Sequence, residues 1–148
     1  MARLPSEQFL MQQTGGSVVL FEDGTERELV RFDPADSMDV ALALEFIRES
    51  DEMGDEDKAF ACFWAGYFHS YAGEEMAMAR DPMVTEADDG TVFVMNGTAI
   101  VVSFDPRDAS ASAQAQGAIH ASALHQAAKD RAHMWCGYFY GQAVRTHD

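Results

Sequence analysis

The chain lacks most of the motifs that mark an enzyme or a membrane protein. It has no glycine-rich phosphate loop, no Gly-x-Ser-x-Gly elbow and no His-Glu-x-x-His zinc motif. Its two cysteines, Cys62 and Cys136, are too few and too far apart to indicate a disulfide framework or a metal site. No stretch approaches the roughly 18 apolar residues of a membrane span, and the first residues do not resemble a secretory signal. We therefore expect a cytoplasmic, non-enzymatic protein without metal or cofactor.

Basic residues are also scarce. The chain has 10 Lys and Arg against 25 Asp and Glu, a net charge of −15. The few basic residues are scattered, which argues against direct binding to nucleic acid. The acidic excess is confined to residues 17–90, with 20 acidic and 5 basic residues, whereas residues 91–148 hold four of each. Such a localised acidic surface is suited to a basic protein partner.

An internal duplication is the clearest pattern in the sequence. Three blocks occur twice in the same order, at offsets of 73, 72 and 71 residues: Val19–Thr25 and Val92–Thr98, Phe32–Asp36 and Phe104–Asp108, Trp64–Phe68 and Trp135–Phe139. A long period repeated only twice indicates two copies of one supersecondary unit. We therefore predict a single domain, 1–148, with an acidic unit at 17–80, a neutral unit at 91–147 and a linker at 81–90.

The predicted fold class is α+β. Each unit contains a hairpin turn signal, Asp23-Gly24 or Asn96-Gly97, followed by helical periodicity. In the first unit, a first helix is indicated by the apolar pattern Val40, Leu42, Ala43, Leu44, Phe46 and Ile47. We expect the two hairpins to form one four-stranded antiparallel sheet with the helices packed on one face. The apolar run Ile100–Val102 is predicted to lie in a central strand, and the segment Pro5–Leu10 is predicted to form a short helix.

Two repeated helical features carry structural predictions. The Asp-Pro-x-Asp blocks indicate helix starts with Asp33 and Asp105 as N-caps, and a divalent-cation site is the less favoured alternative. Glycine inside a helix costs about 1 kcal/mol relative to alanine. Its presence in both Trp-x-Gly-Tyr-Phe blocks predicts that two helices cross closely at Gly66 and Gly137. Replacing Gly66 by Leu is then expected to cost several times more stability than replacing Ala65.

The segment Glu49–Asp57 contains six acidic residues in nine positions. Its spacing does not match an EF-hand loop. The alternatives are an ordinary solvated loop and a recognition surface for an Arg/Lys-rich protein. The predicted partner-binding residues are Glu49, Asp51, Glu52, Asp55, Glu56 and Asp57, with Glu26 and Glu28 of the first hairpin extending the surface.

Three hypotheses for function follow. The favoured one is an acidic binding protein that engages a basic, nucleic-acid-binding protein as an inhibitor or nucleic-acid mimic, analogous in size and charge to inhibitors encoded by bacteriophages. The second is a small-molecule-binding or catalytic protein, with a site between the units lined by aromatic residues and by histidines of the last helix. The third is a homo-oligomeric structural protein, for example a homodimer. The candidate ligand-binding residues of the second hypothesis are Trp64, Tyr67, Trp135 and Tyr138.

Overall fold

Two copies of a βββαα unit make up the fold of the computed structural model, which describes residues 9–22, 25, 27–51, 53–72 and 83–146. The strands and helices of the first unit are β1 (Phe9–Thr14), β2 (Ser17–Glu22), β3 (Arg27–Phe32), α1 (Ser37–Glu49) and α2 (Asp55–Ala72). Those of the second unit are β4 (Val84–Glu86), β5 (Val92–Asn96), β6 (Ala99–Phe104), α3 (Ala109–Ala121) and α4 (Gln126–Thr146). The α+β class is therefore confirmed, and the same order of three strands and two helices occurs twice along the chain.

The predicted four-stranded sheet is wrong in detail, because the structure has two three-stranded antiparallel sheets, β1-β2-β3 and β4-β5-β6. Each hairpin acquires its third strand from the residues that precede it. β1 returns into β2 through Gly15 (φ +63°) and Gly16, and β4 pairs with β5 along Val84–Glu86. These added strands occupy the free edges of β2 and β5, so each sheet is completed within its own unit.

Two local predictions in the strands were also wrong. The described end of the predicted helix Pro5–Leu10 belongs to β1, where Phe9 and Met11 alternate into the core; residues 5–8 lie outside the described part. The strand that holds Ile100–Val102 lies at an edge, and Ile100 is exposed. The segment 81–90, predicted as a linker, contains β4.

The strand register shows which residues of the two hairpins correspond. Val18 pairs with Phe32, as Val92 pairs with Phe104, and both central strands shift register two residues further on. By strand pairing, Val92 therefore corresponds to Val18, whereas the sequence blocks aligned it with Val19. The loops differ in length: Asn96 pairs with Ala99 across two residues, whereas Glu22 pairs with Arg27 across four. The predicted turn residues Asp23 and Gly24 lie outside the described residues.

The helix starts lie three residues later than predicted. Asp36 caps α1 and Asp108 caps α3, each with backbone angles of φ −100° and ψ 109°. The side chain of Asp36 accepts from the amide of Met38 at 3.0 Å. Asp33 instead closes the preceding turn, in which its side chain accepts from the amide of Ala35. The proline therefore belongs to this turn and not to the first helical position.

The units meet where α2 crosses α4, and the predicted glycine crossing is confirmed. A Cβ on Gly66 would overlap the carbonyl group of Met134, and one on Gly137 would overlap that of Phe63. Met134 corresponds to Phe63 at an offset of 71 residues, so the contact is reciprocal about a pseudo-twofold axis. One hydrophobic cluster continues through this crossing and includes core residues of both units.

Candidate binding surfaces

The duplication allows the two units to be compared residue by residue. α1 and α3 each have 13 residues and correspond at an offset of 72. On their inner faces, Ala43 matches Ala115 and Ile47 matches Ile119, and all four are buried. These shared residues hold each helix against the core. Positions at which the units differ are therefore the first candidates for function.

The outer face of α1 carries an exposed apolar row. Met38, Leu42 and Phe46 are 69%, 56% and 48% exposed, and their spacing of four residues aligns them along one side of the helix. The exposed carboxylates Glu45 and Glu49 lie on the same side, seven and eleven residues after Met38. We call these five residues the α1 face. It combines apolar area with negative charge.

The corresponding face of α3 has neither property. Its equivalent residues, at an offset of 72, are small or neutral: Ser110, Gln114, Gly117, Ala118 and Ala121. The two helices therefore share their caps and the buried pairs Ala43 with Ala115 and Ile47 with Ile119, but they present different outer faces. The apolar row is specific to the acidic unit and is not a requirement of the fold.

The acidic segment that follows α1 continues this surface. Glu49, Asp51 and Asp55 are exposed, and Asp57 is half-buried in the first turn of α2. Glu28 lies on the edge strand β3, where Arg31 contacts its carboxylate at 2.9 Å, and this ion pair raises the pKa of Arg31. The remaining predicted residues, Glu26, Glu52 and the side chain of Glu56, lie outside the described part of the structure.

An ion pair between the units fixes the end of α1. Arg48 of α1 lies 3.8 Å from the carboxylate of Asp130 in α4, and Lys58 of α2 donates to the Arg48 carbonyl at 2.8 Å. Burial raises the pKa of Asp130, while a hydrogen bond from Gln126 and the charge of Arg48 oppose the shift. Arg48 thus faces inward, and Glu45 and Glu49 remain on the outer side.

A polar cluster is buried between α3 and α4. The ring Nδ1 of His133 and the side-chain Oε1 of Gln116 lie 2.6 Å apart, and the Gln116 amide donates to the carbonyl of Ser112 at 3.0 Å. Because Oε1 can only accept, Nδ1 must carry the proton. Burial, reinforced by the charges of His120 and Lys129, lowers the pKa of His133 to about 4. The imidazole is therefore neutral at pH 7.

A cavity of about 130 Å³ that is partly open to solvent adjoins this cluster. Its walls come from α2, α3 and α4 and consist of Phe60, Phe63, Trp64, Ala109, Ser112, Ala113, Gln116 and Tyr140. Among the described residues, neither the indole Nε1 of Trp64 nor the Oγ of Ser112 has a hydrogen-bond partner, and both atoms are buried beneath the cavity surface. The cavity therefore has mainly aromatic and apolar walls.

Of the four predicted ligand-binding aromatics, Trp64 lines this cavity. Tyr67 packs edge-on against Trp64, with ring centroids 4.8 Å apart. Trp135 and Tyr138 are buried in the core and stack edge-on at 5.1 Å. The structure thus brings one of the four to a concave surface and places the other three in aromatic packing.

The described residues provide little for nucleophilic or metal chemistry. Both thiols are buried, and burial raises the pKa of Cys136 to about 12 and that of Cys62 well above its usual value. Thiols in this state are protonated and poor nucleophiles. The His69 Nδ1 lies 2.6 Å from the carbonyl of Pro34. Within the described ranges, no three His, Cys, Asp or Glu side chains cluster in a way that could hold a metal ion.

Comparisons of the chain with protein-family models, with curated proteins and with solved structures return no match. Among the described helices, none is long and apolar enough to cross a membrane. The functional argument therefore depends on the α1 face.

Of the α1 face, only Glu49 was predicted from the sequence as a binding residue, and of the residues that line the cavity, only Trp64 was. Leu42 and Phe46 were assigned to one apolar pattern with Val40 and Ile47, although they project from the opposite side of the helix. Alignment of the two helix copies distinguishes Leu42, which corresponds to Gln114, from Ile47, which corresponds to Ile119. It does not distinguish Phe46 from Val40, because their counterparts are Ala118 and Ser112. The same alignment would have shown the polar residue Gln116 at a core position.

Proposed function

We propose that this protein acts by binding another protein, and that the α1 face docks into an apolar groove with a basic rim on that partner. The observation that carries the proposal is the exposed row Met38, Leu42 and Phe46 flanked by carboxylates. Exposed apolar area rimmed by charge is typical of interaction surfaces. The equivalent face of α3 on the same scaffold has no such row, so folding alone does not account for it.

Both components of the α1 face contribute to the expected interaction. Each of the three apolar side chains would gain about 1 to 2 kcal/mol on burial, since each is about half exposed or more in the free protein. Glu45 and Glu49 would meet Lys or Arg of the partner, which mainly accelerates association and makes it sensitive to salt. The acids that follow, including Asp51 and Asp55, would extend this contact.

A basic partner is favoured over a second copy of the chain. Self-association through the α1 face would bring two acidic surfaces together, which is unfavourable for a chain of net charge −15. A nucleic-acid-binding protein is the partner class that best matches the charge, because its own binding site is basic. The apolar row distinguishes this mode from pure mimicry of phosphates, since a nucleic-acid backbone offers no comparable apolar anchors.

The test uses substitutions taken from the chain itself. Replacing Leu42 with Gln and Phe46 with Ala gives α1 the residues that α3 carries at the corresponding positions. Both side chains are half exposed, so the double variant is expected to keep its fold and to bind the partner at least about tenfold more weakly. The first control is Ile100→Thr, which removes an equally exposed apolar residue on β6. The second control is Glu86→Gln with Asp88→Asn, which removes two exposed acidic charges outside the α1 face.

Immobilised wild type and variants are compared in affinity capture from lysate of the source cells, across a salt gradient, with mass spectrometry of bound proteins. We expect a basic protein that is retained by the wild type and both controls and lost from the double variant. Displacement of that protein by DNA or RNA would indicate that the α1 face occupies its nucleic-acid site. Retention of the same proteins by the double variant would refute docking through α1. A concentration-dependent dimer of the purified chain, lost in the double variant, would identify a second copy as the occupant instead.

A further inference from the structure

The second sheet, β4-β5-β6, has an apolar outer face that takes no part in docking through α1. Val92 and Val94 of the central strand are fully buried on the inner face. Phe93 and Met95 alternate with them along β5 and therefore lie on the outer face. Ile100 pairs directly with Met95, so it lies on the same face, where it is 58% exposed. We propose that this outer face packs against the same face of a second copy of the chain and forms a homodimer with a two-fold axis.

The same face of the first sheet is covered by a longer side chain. Val19, which corresponds to Phe93 by strand pairing, lies opposite Arg31 and is 7% exposed. Phe93 lies opposite Ser103, which is itself exposed and too short to cover a phenyl ring, and Phe93 is only half-buried. The two edge strands therefore differ in how they cover the outer face of their sheet.

An ion pair makes this difference specific. The side chains of Arg31 and Glu28 lie 2.9 Å apart on the outer face of the first sheet. At an offset of 72, their positions in β6 are occupied by Ser103 and Ile100. Both hairpins have the same shift of register, so the exchange does not follow from a different backbone. The fold accommodates a charged outer face, and the exposed apolar area of the second sheet is therefore assigned to an interaction.

The distribution of charge identifies a second copy as the occupant. Residues 91–148 have four acidic and four basic residues, whereas the net charge of −15 arises from the residues before them. Glu86, the acidic residue of β4, pairs with Val92 at the end of the sheet away from Ile100. Two copies can therefore meet at this face without bringing like charges together, and the face offers nothing to attract a partner of either charge. The outer-face side chains, none of which is charged, are Thr85, Phe93, Met95, Ile100 and Ser103.

The expected contact resembles a β-sandwich made from two chains. Sheets pack face to face about 10 Å apart with nearly aligned strands, and a two-fold axis makes each copy supply the same apolar side chains. Burial of these side chains drives association, while the net charge of −15 on each chain opposes it. Added salt screens that repulsion, so it should strengthen the dimer. The salt response is thus opposite to the one expected for the α1 face with a basic partner.

Sedimentation equilibrium of the full chain, at about 1 to 100 µM and at low and moderate salt, tests the proposal. The wild type should pass from monomer to dimer as concentration rises, with a lower dissociation constant at the higher salt. The decisive variant, Ile100→Glu with Ser103→Arg, transfers the ion pair of β3 to β6. Both residues are exposed and β3 already carries the pair, so the variant should keep its fold and dimerise at least about tenfold more weakly. If circular dichroism shows that it does not fold, Ser103→Arg alone makes the test at one exposed polar position.

The control is Leu42→Gln with Phe46→Ala, which removes exposed apolar area from α1 and should leave the dimer unchanged. A wild type that stays monomeric at every concentration would overturn the proposal, and so would an unchanged dimer of the folded β6 variant. Loss of the dimer in the α1 variant alone would place the interface on α1 instead. A dimer that weakens with salt would indicate charged contacts and contradict a neutral interface. Because partner capture depends on the α1 variant and dimerisation on the β6 variant, either proposal can fail while the other stands.

Discussion

Adding one methyl group at the helix crossing should destabilise the protein, although the same change elsewhere should stabilise it. In Gly66→Ala the new Cβ would lie 2.8 Å from the carbonyl carbon of Met134 and 3.0 Å from the amide nitrogen of Tyr138. Carbon atoms in favourable contact are about 3.5–4.0 Å apart. The carbonyl oxygen of Met134 lies closer still, and all the obstructing atoms are backbone, so α2 and α4 must separate by more than about 1 Å.

The expected magnitude is a difference of two terms. Overpacking of a core costs about 1–3 kcal/mol and occasionally more, and the upper end applies where rigid backbone obstructs the added group. The gain in helix propensity from Gly to Ala, about 1 kcal/mol, offsets part of this cost. We expect Gly66→Ala to lose about 2 kcal/mol net, which lowers Tm by about 4–8 °C for a chain of this size. Gly137→Ala should behave alike, because its Cβ would lie 2.7 Å from the carbonyl carbon of Phe63.

Gly117 supplies the matched control for this prediction. It lies inside α3, is exposed, and a Cβ there would meet nothing within 4 Å. Gly117→Ala should therefore raise stability by about 0.5–1 kcal/mol. It is a better control than Ala65→Leu, because Ala65 is fully buried and its replacement also overpacks the core. Urea unfolding followed by circular dichroism gives both values. Stabilisation by alanine at Gly66 would refute the close crossing.

Three further predictions concern single side chains. The pKa of His133 is about 4 in the folded chain and 6.5 in the unfolded chain. Between these two pH values only the unfolded chain binds the proton, so the free energy of unfolding should fall as pH drops from about 6.5 toward 4. Urea titrations give the free energy of unfolding at pH 7 and at pH 4.5. Between these pH values the wild type should lose about 2 kcal/mol more than His133→Cys, which carries the residue of the first unit. Equal losses in the two proteins would contradict a lowered pKa of the buried His133. Asp36→Ala and Asp108→Ala should each cost about 1 kcal/mol in the same assay, with little loss in Asp36→Asn, because the cap acceptor is removed only by alanine. The thiols of Cys62 and Cys136 should react with a thiol reagent at the rate of unfolding, since both are buried and protonated; fast labelling of the native chain would argue against this.

Periodic and local features were predictable from the sequence, and the pairing of strands into sheets was not. The helices and hairpins depend on spacings within one segment, whereas the glycine crossing was recognised because the same block occurs in two segments. β4 was missed because it has three residues, of which only Val84 is buried while Thr85 and Glu86 are exposed. Its existence depends on the free edge of β5 and not on its own pattern. The number of strands per sheet therefore could not be read from the residues of either segment alone.

The candidate sites depend on a different kind of information. Leu42 is apolar in sequence whether it faces the core or solvent, and only the packing of α1 decides between the two. Gln116 looks like an ordinary polar helix residue until its contact with His133 places it inside the protein. In both cases the sequence gives the type of side chain, but only the structure gives its burial and its contacts. The exposure of Glu49, Asp51 and Asp55, in contrast, was predictable, because a segment with so many acidic residues in sequence stays in solvent.

The duplication separates structural from functional residues within one chain. Features that both units share, such as Gly66 with Gly137 and Asp36 with Asp108, occupy the crossing and the caps, where the fold itself requires them. Features confined to one unit are not needed to make a βββαα unit, since the other unit folds without them. The α1 face belongs to the acidic unit, and none of its five side chains recurs at the corresponding positions of α3. The two copies have therefore diverged at this outer face while they keep the same helix crossing and the same caps.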